Sequence, residues 1–338
     1  MATILVTGGT GYIGSHTCVE CLNSGYDVVI IDNLSNSNKN VVERIESITG
    51  KSVKFYEGDI LDAQLLHRIF NENTIDAVIH FAALKAVGES FEKPTEYYLN
   101  NVGGACNVYQ VMKEHNVKNI VFSSSATVYG QPKHVPCNEE SEIQEATNPY
   151  GTTKIYNEKI LSDIAASDDQ WSVMLLRYFN PIGASKTRLL GEIPNGIPNN
   201  LTPYVAQTAI GQRDFVRVWG NDYDTPDGTG VRDYIHVVDL AKGHVCALDY
   251  ILKNKGVQAV NLGTGKGYSV LDVIHAYEKA CGHEIPYQIL DRRPGDIAIT
   301  YADPSKAKEL LGWSAQYDLD EMVADSWAFM EELNKNNA

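Results

Sequence analysis

Thr3-Ile4-Leu5-Val6 runs directly into Thr7-Gly8-Gly9-Thr10-Gly11-Tyr12-Ile13-Gly14, and a helical pattern follows. The first four residues are a short apolar, β-branched run and predict a buried strand. Glycines at 8, 11 and 14 give the spacing G-x-x-G-x-x-G. Glycine permits a tight turn and lets backbone N–H groups approach a pyrophosphate at a helix N-terminus. The next apolar run, Asp27-Val28-Val29-Ile30-Ile31, ends in Asp32. A carboxylate there accepts hydrogen bonds from an adenosine ribose and repels the 2′-phosphate of NADP. The stretch predicts a strand–turn–helix unit that holds NAD. The alternative is a glycine-rich turn with no ligand.

Working outward, strands are predicted at 3–7, 27–32, 53–57, 77–81, 119–124 and 173–177. Helical patterns fall around 12–24, 38–49, 62–72, 95–115 and 148–167. This alternation predicts an α/β fold, a Rossmann-type doubly wound parallel sheet with helices on both faces. Asp59 closes the third strand and is a second candidate cofactor contact. The fourth strand ends in the small residues Ala82 and Ala83, against which a nicotinamide ribose can lie. From 181 the chain turns rich in Gly, Pro and Asn, including Asn195–Asn200 and Asp222–Gly230. Loops this long are usually functional. The expected division is an NAD-binding domain over 1–180, with a returning segment near 234–262, and a smaller C-terminal α/β substrate-binding domain over 181–338.

Tyr150-Gly-Thr-Thr-Lys154 sits in the predicted 148–167 helix. The i, i+4 spacing puts both side chains on one face. A free tyrosine titrates at about 10 and is a poor base at neutral pH. A nearby ammonium favours the phenolate, so the pair reads as a proton-transfer device for a hydroxyl-bearing substrate. Ser123-Ser124-Ser125 ends the fifth predicted strand, the edge at which open α/β sheets bind ligands. A hydroxyl there can hydrogen-bond a reacting oxygen and relay its proton.

Composition narrows the class further. The net charge of −15 argues against broad nucleic-acid binding, which needs a basic footprint. No apolar run is long enough to span a bilayer. The N-terminus enters a strand without a basic leader, so cytoplasm is the default. Cys18-x-x-Cys21 has a redox spacing but lies in the first helix, where small apolar residues pack on the sheet. His80, His236 and His244 lack ligand spacing, and no metal is expected.

Together these motifs resemble the extended short-chain dehydrogenase/reductase superfamily and, within it, the UDP-glucose (UDP-galactose) 4-epimerases. The resemblance runs nearly end to end. It covers Thr7–Gly14, His80–Ser90, Ser123–Gly130, Tyr150–Lys154, Leu176–Gly183, Pro198–Leu201, Gly230–His236 and Arg292–Asp296. Leu84–Ser90 and Gly230–His236 are the segments most specific to epimerases.

The resemblance implies roles residue by residue. Gly8, Gly11, Tyr12, Ile13 and Gly14 would form the pyrophosphate turn. Asp32 and Asn33 would hold the adenosine ribose, and Asp59 and Ile60 would flank adenine. Phe81, Ala82, Lys85, Asn100, Ser123 and Phe179 would line the rest of the NAD site. Tyr150 would be the base, Lys154 its electrostatic partner and ribose anchor, and Ser125 the proton relay. Asn180, Asn200, Leu201, Arg232, Arg293 and Asp296 would bind the UDP group, with Val218 and Trp219 beside uracil. Lys85, Ser125 and Tyr150 would also face the sugar. Thr300 would face its 2-substituent, where a small residue admits an N-acetyl group. The resemblance further implies NAD as resident cofactor, a UDP-hexose substrate and a homodimer.

Three other readings stay open. A nucleotide-sugar 4,6-dehydratase needs an acidic pair in the serine loop, where this chain has Ser125-Ala126-Thr127-Val128. A reductase would consume added cofactor. A non-catalytic NAD-binding regulator would have no use for Ser125, Tyr150 and Lys154 together.

Overall fold

Strand β1 (Thr3–Thr7) lies between β2 (Asp27–Asp32) and β4 (Ala77–His80), and β3 (Lys54–Glu57) lies outside β2. On the other side β5 (Asn119–Ser125), β6 (Ser172–Tyr178) and the strand Gly256–Leu262 follow β4. All pairs in this seven-stranded sheet are parallel. The computed structural model describes residues 2–143, 145–293 and 295–337. The strand order reverses between β1 and β4, and that reversal opens a crevice at the carboxyl ends of the strands.

Period-2 alternation divides the sheet between two cores. Ile4 and Val6 pack with Cys18 and Leu22 of helix α1 (Tyr12–Asn23) and with Leu240 and Leu248 of the Val237–Ile251 helix. Leu5 faces the opposite way, toward Leu66, Val108 and Leu161 of three other helices. Cys18 and Cys21 are fully buried and free, as a core role requires.

The predicted strands match these within a residue at each end. The predicted 95–115 helix runs through, with a change of pitch. It divides into Pro94–Tyr98, a π-helical stretch Leu99–Gly104, and Ala105–Glu114. Within this stretch Gly104 faces Ile60, whose Cδ1 would lie 2.7 Å from an added Cβ. Asn101 also turns its amide to both Leu84 N and Leu84 O, at 2.8 Å each.

Beyond β6 the chain builds a smaller sheet. Val231–His236 is its centre, paired in parallel with Asn180–Ile182 and Ile299–Thr300 and antiparallel with Gly267–Ser269. A third core of Val205, Val218, Tyr234, Tyr277 and Met322 lies beneath it. Among the described residues no helix is long and apolar enough to cross a membrane.

Candidate active site

The turn after β1 is built for close approach. Gly8 sits at φ 71°, a left-handed conformation that favours glycine. A Cβ on Gly14 would lie 2.2 Å from Gly8 O, so any side chain there would push α1 off the turn. The helix opens on Gly11, which supplies no side-chain cap. Its first-turn N–H groups are therefore left for an anion, at the positive end of the helix dipole.

Asp32 stands beside this turn. Its carboxylate accepts from Thr10 N at 3.1 Å, Leu34 N at 2.9 Å and Ser37 Oγ at 3.2 Å. Asn33 Nδ2 donates to Asp59 Oδ2 at 2.8 Å, so the two predicted adenosine contacts form one pair. Ile60 is turned into the core against Gly104. Ala82 N donates to Thr7 Oγ1 at 3.2 Å, and a Cβ on Gly8 would lie 2.8 Å from that nitrogen. Asn100 Nδ2 donates to Asn101 Oδ1 at 2.9 Å within the π-helical stretch. A cradle that a single methyl group would fill, with an aspartate at its rim, fits the diphosphate and ribose of NAD.

Tyr150 and Lys154 lie on the Pro149–Ser167 helix, which starts from Asn148, whose Oδ1 accepts from Gly151 N at 2.8 Å. The Lys154 ammonium is 5.7 Å from the Tyr150 ring centroid and donates to Ser123 O at 2.6 Å. Ser125 is beside the Tyr150 phenol and lowers its pKa. Burial outweighs that effect and pushes the phenol up to about 12. The spacing predicted a phenol drawn down by its lysine; burial opposes this, and lowers Lys154 itself to about 7. The Glu158 carboxylate works against that fall. Phe179 is buried behind the serine loop, in a cluster with Val128 and Tyr129.

The second group of predicted residues gathers around the smaller sheet. Glu192 Oε1 joins Lys85 Nζ at 3.1 Å and Asn200 Nδ2 at 2.9 Å. Arg232 pairs in register with Thr300, and Thr300 Oγ1 lies 3.9 Å from Cys137 Sγ. Arg293 forms a two-pronged ion pair with Asp296, at 3.1 and 3.0 Å. Pro294 between them lies outside the described residues. Asn180 is exposed at the start of its short strand, and Leu201 is half-buried at the head of a helix. Val218 and Trp219 pair with Ile289 and Leu290. The Val218 side chain is fully buried in the third core, so this residue can offer a ligand only its backbone.

Comparison with known proteins identifies the family. A family model described as GDP-mannose 4,6 dehydratase matches residues 5–326. A UDP-glucose 4-epimerase of Bifidobacterium longum is 61% identical over 326 residues, 96% of each chain. One from Bacillus subtilis is 59% identical over 324 residues, covering 96% of this chain and 95% of that one. The chain belongs to the UDP-glucose 4-epimerase family. A crystal structure of the Bifidobacterium longum UDP-glucose 4-epimerase, in complex with NAD+ and UDP, superposes with a TM-score of 0.96 at 59% identity, covering 100% of both chains.

As a UDP-glucose 4-epimerase family member, the chain carries site neighbours that its motifs did not announce. Glu158 is buried one turn beyond Lys154 and takes a hydrogen bond from Ser124 Oγ at 2.5 Å. Tyr178 is buried next to Ser123 and donates to His244 Nε2 at 2.5 Å, since His244 Nδ1 faces Leu240 O. Glu192 bridges two predicted substrate residues. Glu158 could have been suspected from helical periodicity, as the residue at i+8 from Tyr150. Nothing local marks Tyr178 or Glu192.

Proposed function

We infer that this protein interconverts UDP-galactose and UDP-glucose by inverting sugar C4 through a transient 4-keto sugar. Its resident cofactor is NAD, and Ser125, Tyr150 and Lys154 are its catalytic residues. The observation that carries this reading is the convergence of those three side chains at the carboxyl edge of the sheet, in a chain of this family.

The chain's own residues divide the work. Gly8, Gly11, Tyr12, Ile13 and Gly14 hold the cofactor pyrophosphate, and Asp32 and Asn33 hold its adenosine ribose. Asp59, Ile60, Phe81, Ala82, Lys85, Asn100, Ser123 and Phe179 line the remainder. Bound NAD supplies a hydride acceptor that returns the hydride to the same carbon. Tyr150, as phenolate, takes the proton of the sugar 4-hydroxyl, directly or through Ser125. Lys154 offsets the charge on the phenolate and so draws down a pKa that burial raises. Asn180, Asn200, Leu201, Arg232, Arg293 and Asp296 grip the UDP group, with Val218 and Trp219 at uracil. The 4-keto sugar turns about that anchored end and presents its other face. Tyr150 then gives the proton back.

Thr300 is small, which suits a UDP-sugar carrying a 2-acetamido group. The chain divides into an NAD domain over 1–180, rejoined near 234–262, and a nucleotide-sugar domain over 181–338. The protein works as a homodimer: Leu99 at 60% and Tyr156 at 50% exposure lie on the two helical segments that would pair across a two-fold axis. Six free cysteines suit a reducing cytoplasm.

The test is to mix purified protein with UDP-galactose and no added cofactor, and to separate the nucleotide sugars. UDP-glucose is the expected product. No conversion even with added NAD would overturn the reading.

A further inference from the structure

Among the described residues the Tyr223 hydroxyl has no hydrogen-bond partner. The residue is 7% exposed, and its oxygen is shut off from the surface. Its loop holds it firmly. Tyr223 N donates to Gly228 O at 2.9 Å, and Thr225 Oγ1 donates to Thr229 O at 2.7 Å. Asp227 of the same loop accepts from Ser269 Oγ at 2.5 Å. The phenol is therefore fixed in place by backbone and neighbouring side chains.

Burial and the Asp296 carboxylate raise the pKa of that phenol, against three arginines that lower it. The Arg292 guanidinium lies over its ring, 4.1 Å from the centroid, and is itself tied to Asp222 Oδ1 at 2.7 Å. Arg232 and Arg293 act on the phenol electrostatically in the same sense as Arg292, and Asp296 in the opposite sense. Among the described residues the Arg232 guanidinium donates only to Val231 O, at 2.9 Å. A guanidinium has no acceptor to give a hydroxyl. Asp296 has both carboxylate oxygens engaged by Arg293. With no acceptor for the Tyr223 hydroxyl among the described residues, a ligand oxygen suits it, and Arg232, which has no carboxylate partner among those residues, favours an anionic one.

We propose that Tyr223 is a substrate-binding residue whose hydroxyl donates to a diphosphate oxygen of the UDP-sugar, between Arg232 and Arg293. This rests on the reading of that lobe as the UDP site. The buried hydroxyl is thus left unmade in the free protein and satisfied in the complex.

Tyr223→Phe removes one oxygen and leaves the ring under Arg292. The experiment is titration calorimetry of UDP into the purified holoenzyme, wild type and variant, with thermal melting of both in the absence of UDP. UDP affinity should fall about ten- to a hundredfold, the loss of one hydrogen bond to a charged group. The melting temperature should hold or rise, because the unpartnered hydroxyl is gone. Steady-state turnover should show a raised KM with kcat kept. Equal UDP affinity in both proteins would overturn the assignment of Tyr223 alone. A lowered melting temperature with unchanged UDP affinity would overturn it too, by making the residue structural. A wild-type protein that ignores UDP would overturn the UDP reading itself, and Tyr223 with it.

Discussion

Glu158 and Arg177 form a two-pronged buried ion pair, with Arg177 Nε 3.0 Å from Oε1 and Arg177 NH2 2.8 Å from Oε2. Ser124, in register with Arg177 across β5 and β6, donates to the same carboxylate. The pair thus clamps the Pro149–Ser167 helix to β6 and, through Ser124, to the serine end of β5. Breaking a buried pair from one side costs about 3–5 kcal/mol, because the remaining charge is left uncompensated. Glu158→Gln should lower stability by that amount, read from a denaturant midpoint.

The same substitution has a consequence for pH. Lys154 is held at about 7 by burial, with Glu158 raising it. Removing that carboxylate lowers Lys154 further. His80 cannot compensate, since burial and Lys154 together hold it neutral, at about 3. Tyr150 and Tyr178 are the other groups nearby, and burial raises both. If the reaction needs charged Lys154 beside the Tyr150 phenolate, loss of the lysine proton sets the alkaline limb of the profile. The alkaline limb of kcat should move to lower pH in Glu158→Gln. A pH–rate profile with an unmoved limb would remove Glu158 from the tuning of Lys154.

Gly14→Ala tests the cofactor cradle. The added methyl would lie 2.2 Å from Gly8 O and 2.9 Å from Gly9 Cα, both backbone atoms that cannot swing aside. The turn must open, and the first-turn N–H groups of α1 lose their common aim. Purified Gly14→Ala should carry far less NAD than wild type, measured by releasing and quantifying the nucleotide after denaturation. A full complement of NAD would show that the turn does not hold the pyrophosphate.

What could be read before folding was mostly local. The Gly8–Gly14 spacing, the Asp32 strand end and the Tyr150–Lys154 helical pair each depend on residues close in sequence, and short apolar runs place β1 to β6. The π-helical stretch at Leu99–Gly104 was not legible, because its contacts with Leu84 and Ile60 come from elsewhere in the chain. Nor was the direction of Val218, which its pairing with Ile289 and the third core decide. The Tyr150 phenol illustrates the same limit. Its neighbour at i+4 was visible, but the burial that raises it comes from the tertiary fold. Glu158 has the right helical spacing, yet a carboxylate at i+8 means nothing until Arg177 is known to lie opposite.

Tyr150→Phe keeps the ring and removes the proton carrier. The ring stays packed and the Lys154–Ser123 hydrogen bond does not depend on the lost oxygen. The variant should fold, retain NAD and lose about 10²–10⁴-fold in kcat, the range for a positioned acid–base group. Turnover near that of wild type would take Tyr150 out of the mechanism.

Thr300 offers a test of substrate range that separates sterics from chemistry. It lies in the two-residue strand beside Arg232, buried, with Cys137 Sγ 3.9 Å from its hydroxyl. It touches none of Ser125, Tyr150 or Lys154 through a hydrogen bond, so enlarging it leaves the proton path alone. Thr300→Tyr adds a ring where a 2-acetamido group would need space and a 2-hydroxyl would not. Conversion of UDP-N-acetylglucosamine should disappear while conversion of UDP-galactose persists, measured side by side on one preparation. Equal loss of both would mean that the substitution distorts the sheet that carries Arg232, and Thr300 would no longer stand as the residue that sets sugar size.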